Sequence, residues 1–410
     1  MSAMDKGSAP ATESADAPLP RLGRSIRREW LLEEGMIFLN HGSFGATPRR
    51  VLRAQQDWRL ALERQPIHFM IDILPAALRT AASELAAFLG ATGQDVAFVD
   101  NATTGVNSVL RSLRLQPGDE VLTTSHVYPA VGKTISYVCR RTGAVPVHVA
   151  VPFPCAGPQE VVDRVVRAMT PRTRLLVIDH ITSATALVLP VHELTREARQ
   201  RGILVLVDGA HAPGMLPLDL PTFATDWYTG NCHKWLCGCK GSAFLWGNPE
   251  SEAAQSDIHP PVISHFLDEN WPAEFDFIGT RDYSPWLSVP EALRFLQDLG
   301  GERVMEHNRI LARKGALVLQ STLGIAPAAP ESMLGSIITL PWPGTETPSD
   351  EMAQDLRRAL WENHRIELMV LCFDGRLWFR ISAHAYNEID DYERLAEVLQ
   401  THLPSRPGVG

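Results

Sequence analysis

From residue 96 to 246, short apolar runs alternate with longer amphipathic segments, and this rhythm narrows the possible folds more than any other feature of the chain. VAFVD (96–100), EVLTT (120–124), 145–151, LLVID (175–179) and ILVLVD (203–208) are rich in Val, Ile and Leu and bounded by turn formers, as buried strands are. Segments 104–113, 130–141, 160–169 and 192–201 between them read as helices, and 226–229 and 242–246 as two further short strands. Strand, helix and strand repeated in this way build a doubly wound α/β domain, a mainly parallel sheet with helices on both faces. Ligands of such sheets bind beyond the carboxyl ends of the strands, so the residues that follow each strand carry the functional information.

At 410 residues the chain is long enough for two or three units. Polar, turn-forming stretches at 247–260 and 323–350 interrupt the rhythm. Beyond them, a helix at 351–364, a hairpin of 367–373 and 376–382 around Asp374-Gly375, and a helix at 388–402 predict a smaller α+β domain. A long helical region over 291–322 is expected to join the two. Residues 1–25 are Ala-, Ser- and Pro-rich and are expected to be a disordered tail without the apolar core of a secretory signal. With 38 Lys+Arg against 47 Asp+Glu the formal charge is −9, which argues against a basic nucleic-acid-binding face. No apolar run approaches membrane-spanning length. The six cysteines lack paired CxxC spacing and are expected to be reduced thiols of a cytoplasmic protein.

Three strand ends stand out. Asn101-Ala-Thr-Thr-Gly-Val-Asn107 opens a helix with small and hydroxylic residues, which makes either a plain N-cap or a phosphate seat of free N–H groups. No GxxxxGK[ST] occurs and no GxGxxG follows a strand, so neither a nucleotide P-loop nor a nicotinamide site is expected. Asp208 ends the ILVLVD run; it either caps the next turn or meets a protonated ring nitrogen of a cofactor. Lys234, 26 residues on in NCHKW, is either a snorkelling surface lysine or a desolvated nucleophile. Cys232, His233, Cys237 and Cys239 do not have the spacing of a common zinc site, and no metal is expected.

Phosphate seat, strand-end aspartate and lysine, in that order, resemble the pyridoxal-phosphate enzymes of the class V aminotransferase group, fold type I. FLNHGSFGATP (38–48), NATTGVNSVLRS (101–112), DGAHAPG (208–214), NCHKW (231–235), IGTRDYSPWL (278–287) and FRISAHAYN (379–387) carry the resemblance. Within the group the chain is most similar to isopenicillin N epimerases and to the C–S lyases of ergothioneine biosynthesis. The resemblance implies a large cofactor-binding domain over 71–300, a small domain over 301–410, and an N-terminal segment, 26–70, that lines the site and packs on the small domain.

It also implies roles. Lys234 binds pyridoxal 5'-phosphate covalently and moves the substrate Cα proton, while Asp208 pairs with the pyridine nitrogen. His211 and Ser183 match positions near the ring hydroxyl; Thr103, Thr104, Asn231 and His233 match the phosphate seat. Tyr128 stands where more distant relatives stack a histidine on the ring, and its phenol either stacks only or also carries a proton. Arg380 matches the clamp for the substrate carboxylate, with Asn40 and His41 at the same end. Thr280 matches a threonine that reaches the phosphate of a second subunit, which implies a homodimer with shared sites. Arg281 either receives a distal acidic group of the substrate or makes a structural ion pair. Cys372 lies inside the expected hairpin, not on the mobile loop that carries the persulfide of cysteine desulfurases. The expected activity is therefore abstraction of the Cα proton of an amino acid or an amino-acid-bearing natural product, epimerase-like. A C–S lyase of the hercynylcysteine sulfoxide type or an aminotransferase is the alternative, and a non-catalytic cofactor-binding sensor is disfavoured by the absence of a fused domain.

Overall fold

In the computed structural model, residues 21–255, 258–269 and 271–402 are described. Seven strands form the large sheet: β1 (Val96–Val99), β2 (Glu120–Thr124), β3 (Val145–Val149), β4 (Thr173–Asp179), β5 (Leu204–Asp208), β6 (Trp227–Asn231) and β7 (Ala243–Gly247). Their order is β1-β7-β6-β5-β4-β2-β3. Every pairing among β2 to β6 is parallel, and β7 runs antiparallel to both its neighbours. Successive residues of a strand serve opposite cores. Leu175 and Val177 pack with Val106 and Val109 of the helix Ala102–Ser112 and Ile135 of Pro129–Thr142. Leu176 and Ile178 pack with Val161 of Pro158–Ala168 and Leu194 of Val191–Arg199. That two-faced burial explains why the central strands are apolar throughout rather than alternating. The edge strand β3 tolerates Pro146 and an exposed Val145 because one side of it needs no partner.

The small domain carries a three-stranded antiparallel sheet of β8 (Ile337–Pro341), β9 (Met369–Phe373) and β10 (Arg376–Ser382), in the order β9-β10-β8. Asp374 and Gly375 have φ of 49° and 67°, the left-handed pair that a tight hairpin requires. The expected single helical link is two helices, Val289–Asp298 and Glu302–Leu323, separated at Gly300-Gly301, where both φ values are positive. Helices Glu302–Leu323, Asp350–His364 and Ile389–His402 cover the small sheet.

Of the expected tail, residues 1–20 lie outside the described residues. From Gly23 the chain is tied down: its N–H donates to Ala385 C=O at 2.7 Å, and Gly23–Glu29 forms a 3-10 turn. Residues 23–25, expected to belong to the tail, are instead part of this turn, which has its backbone partner near the C-terminal strand. Ile37–Phe38 then pairs in parallel with Ile366–Glu367. No helix among the described residues is long and apolar enough to cross a membrane.

Candidate active site

A cavity of about 440 Å³ opens beyond the carboxyl ends of β1, β2, β4, β5 and β6. Asp100, Asn101 and Thr103 wall it after β1, Tyr128 after β2, Asp179 and Ser183 at the end of β4, and Asp208 and His211 at the end of β5. Asn231, His233 and Lys234 wall it after β6, and Ser43 and Phe44 enter from the N-terminal segment.

Lys234 sits on a turn, with Nζ 3.2 Å from Nε2 of His211. Burial and the nearby Arg380 charge bring its amine down to about 8, against the pull of Asp208. His211 is held well below the usual imidazole range by burial and by the Lys234 charge, so it faces the lysine as a neutral ring. The Asp208 carboxyl is raised by burial, opposed by the Ala210 N–H, which donates to Oδ1 at 3.0 Å, and by Lys234. His233 is down to about 4, mainly through burial, and its Nδ1 lies 3.1 Å from Ser242 C=O.

The helix start at Ala102 is built from two asparagines. Asn101 Oδ1 accepts from Thr104 N–H at 2.9 Å, and Asn231 Oδ1 accepts from Ala102 N–H at 2.9 Å. This ties β6 to the helix N-terminus and leaves Thr103 on the cavity wall. Thr104 turns its hydroxyl to Asn101 Oδ1, 3.3 Å away, and lies outside the wall, so the two threonines expected at the phosphate seat are not equivalent.

Arg380 on β10 is fully buried one layer behind the cavity. It donates through Nη1 to Ser183 C=O and through Nη2 to Ser43 Oγ at 3.0 Å, while Nε is buried without a partner. Burial alone brings its guanidinium to about 10. Ser43 in turn donates to Asn40 Oδ1 at 2.6 Å, and Asn40 Nδ2 donates to Glu367 at 3.1 Å. Asn40 is therefore a support for Ser43 rather than part of the wall.

His41 is also withdrawn from the cavity. Its Nε2 lies 3.0 Å from Lys234 C=O and its Nδ1 2.7 Å from Tyr386 Oη. A carbonyl can only accept, so Nε2 carries the hydrogen and Nδ1 accepts from the phenol. Burial lowers this ring to about 3. It stacks on His384 at 4.0 Å and 18°, and Cys237 Sγ lies 3.4 Å from His384 Nε2. These three side chains are close enough to suggest a metal set, but stacked rings point their in-plane lone pairs side by side, not at one centre. They clamp the back of the lysine turn between the N-terminal segment and the small domain. Of the cysteines weighed for zinc, Cys232, Cys237 and Cys239 are buried and free.

Arg281 pairs with Asp100 and lies over the Trp286 ring at 4.5 Å, so a distal acid of a substrate does not find it free. Thr280 is exposed and outside the cavity. Asp179, Ser43, Phe44 and Asp100 escaped the sequence reading. Asp179 carried a usable signal: LLVID ends in aspartate just as ILVLVD does.

The residues present fit pyridoxal phosphate. There is a weakly basic amine for its aldehyde, a buried carboxyl for its ring nitrogen, a helix start for its phosphate, and buried donors at His211 Nδ1 and Arg380 Nε that lack partners.

Residues 38–395 match the aminotransferase class-V family model. Isopenicillin N epimerase of Amycolatopsis lactamdurans is 36% identical over 398 residues, covering 92% of this chain and 97% of its own. A probable chloroplastic L-cysteine desulfhydrase of Arabidopsis thaliana is 32% identical over 389 residues, covering 88% and 82%. Among solved structures, the cystine C–S lyase C-DES with its product cysteine persulfide aligns with a TM-score of 0.77 at 22% identity, over 90% of this chain and 99% of that one. The apo cysteine desulfurase of Thermococcus onnurineus gives 0.78 at 17%, over 93% and 98%. Fold, family match and relatives agree, and the chain belongs to the class-V aminotransferases as a pyridoxal-phosphate-dependent enzyme.

Proposed function

We propose that this enzyme removes and returns the Cα proton of an amino acid, or of a natural product that carries one, in the manner of an isopenicillin N epimerase. The observation that carries the reading is the Lys234 amine, held near 8 beside a neutral His211, in one cavity with the Tyr128 phenol. When bound there, pyridoxal phosphate supplies the electron sink that makes the Cα proton acidic. Asp208 would hold the ring nitrogen, His211 and Ser183 the ring hydroxyl, and Thr103, Asn231 and His233 the phosphate. Lys234 Nζ takes the proton on one side. Tyr128, 42% exposed on the wall, would return a proton from the other. Arg380 would supply the positive charge for the α-carboxylate from one layer behind the wall, through Ser43, which lies on the cavity. Two epimerases at 36% and 35% identity support this fate of the proton.

The second reading is β-elimination with C–S cleavage, favoured by desulfhydrase relatives at 32% identity. Tyr128 would then protonate the leaving sulfur. Desulfuration through a persulfide is disfavoured, because Cys372 is fixed in β9 opposite Leu377.

A homodimer with shared sites belongs to the proposal. Ile67, Ile71, Val262 and Ile263 are more than half exposed, Ile71 on an apolar cleft that Met70, Phe266 and Phe277 also line, and Thr280 is exposed to meet a second copy. Free thiols throughout suit a reducing, cytoplasmic setting.

Borohydride reduction followed by peptide mapping should place the pyridoxyl group on Lys234; a label elsewhere ends the assignment. Turnover of candidate amino acids in deuterated water then separates the fates. Deuterium at an inverted Cα supports epimerisation, whereas a keto acid with released thiol supports the lyase. Tyr128→Phe should abolish inversion while Cα exchange by Lys234 continues; unchanged inversion would leave Tyr128 a stacking residue.

A further inference from the structure

Phe44 is the most exposed large apolar side chain among the described residues, at 76%, yet it stands on the wall of the cavity. Its neighbours in the chain fix where on that wall. Before it, Ser43 Oγ lies 3.0 Å from Nη2 of Arg380, the proposed source of charge for the α-carboxylate. After it, Gly45 abuts the lysine turn so closely that a Cβ there would lie 2.9 Å from Cα of Lys234. Phe44 is thus carried between the carboxylate anchor and the reactive amine. An amino acid held at those two points has only its side chain left to meet the ring. A ring this exposed adds little to the packing of the fold, so its apolar surface is turned to whatever fills the cavity.

The charged groups of the wall are already engaged. Asp100 pairs with Arg281. His211 Nε2 faces Lys234 Nζ at 3.2 Å, and His233 Nδ1 lies 3.1 Å from Ser242 C=O. Asp179 and Asp208 are withdrawn at the strand ends, with 3% and 4% exposure. Lys234 is the only Lys or Arg on the wall among the described residues. A carboxylate or ammonium at the far end of a substrate would lose water here and find no free counter-ion, which is costly. Phe44 and the Tyr128 ring are instead the two exposed large apolar surfaces that the wall offers.

We propose that Phe44 is a specificity-determining residue whose ring receives an uncharged, apolar substrate side chain, so that the enzyme discriminates against side chains ending in a carboxylate or an ammonium. The inference deepens the proposed function and rests on that reading of the cavity. An aromatic face suits an aliphatic chain or a thioether, whose sulfur packs well against a ring. It makes no hydrogen bond that would single out one such chain, so a class of side chains is selected rather than one member.

Absorbance titration of the holoenzyme with norleucine, alanine, glutamate and free lysine tests the claim, because none of the four has a group to eliminate at Cβ. Norleucine should bind about thirtyfold more tightly than glutamate or lysine. Phe44→Ala should weaken norleucine about tenfold but alanine, whose methyl is too short to use the ring, less than about twofold. Phe44→Leu, which restores an apolar surface, should bring norleucine back to within about threefold of the wild type. Glutamate or lysine bound as tightly as norleucine, norleucine affinity unchanged in Phe44→Ala, or equal losses for alanine and norleucine each overturn the proposal. Norleucine that binds with this preference but exchanges no Cα deuterium would instead sink the proton-transfer reading and leave the preference standing.

Discussion

Lys234 keeps a charge at a cost, because burial and Arg380 both oppose it. The sign of the resulting pH dependence follows. Only the neutral amine attacks an aldehyde, and its fraction grows as pH rises toward about 8. Reconstitution of the apoenzyme with pyridoxal phosphate, followed by absorbance, should therefore speed up about tenfold per pH unit below that value and level off above it. A profile still rising at pH 10 would mean an ordinary solvated lysine. Arg380 gives a second residue-scale expectation. Its planar fork reaches Ser183 C=O and Ser43 Oγ at once, a geometry that a single ammonium cannot copy. Arg380→Lys should raise KM for the substrate and lower kcat/KM roughly a hundredfold, about 3 kcal/mol. The placement of Asp208 and Lys234 on one cavity wall was legible in the sequence because one ends a strand and the other follows one. The surroundings of Arg281 and His41 were not, since Asp100 and Tyr386 meet them from 181 and 345 positions away.

The lysine turn depends on close backbone packing. Gly45 has φ of 70°, and a Cβ there would lie 2.1 Å from the carbonyl oxygen of His233 and 2.9 Å from Cα of Lys234. Gly45→Ala should leave the far-ultraviolet circular dichroism of the enzyme intact but weaken pyridoxal-phosphate binding at least about tenfold, measured by absorbance titration. Wild-type affinity in that variant would show that the N-terminal segment does not set the turn. At this scale the sequence reading succeeded where local chemistry dominates. The βαβ rhythm and the Asp374-Gly375 hairpin were both legible from their own residues. Strand β8 was not, because Ile337–Pro341 is a short run within a stretch full of Pro, Gly and Ser, and only pairing with β10 makes it a strand.

For the whole molecule, the exposed isoleucines 67 and 71 offer the simplest test of assembly. If the proposed dimer forms through this face, Ile71→Glu should convert it into a monomer in sedimentation experiments, and the monomer should lose most of its turnover if Thr280 serves a neighbouring site. An unchanged sedimentation coefficient would place the interface elsewhere. The pairing of Ile37–Phe38 with Ile366–Glu367 has a consequence for how the enzyme is made. The segment that backs the lysine turn leaves the ribosome more than 300 residues ahead of its partners. At 5–20 residues per second, it waits roughly 20 to 70 s. Throughout that interval the seven-stranded sheet can form, but the pocket has no rear wall, so a nascent chain halted before residue 366 should be unable to retain the vitamin.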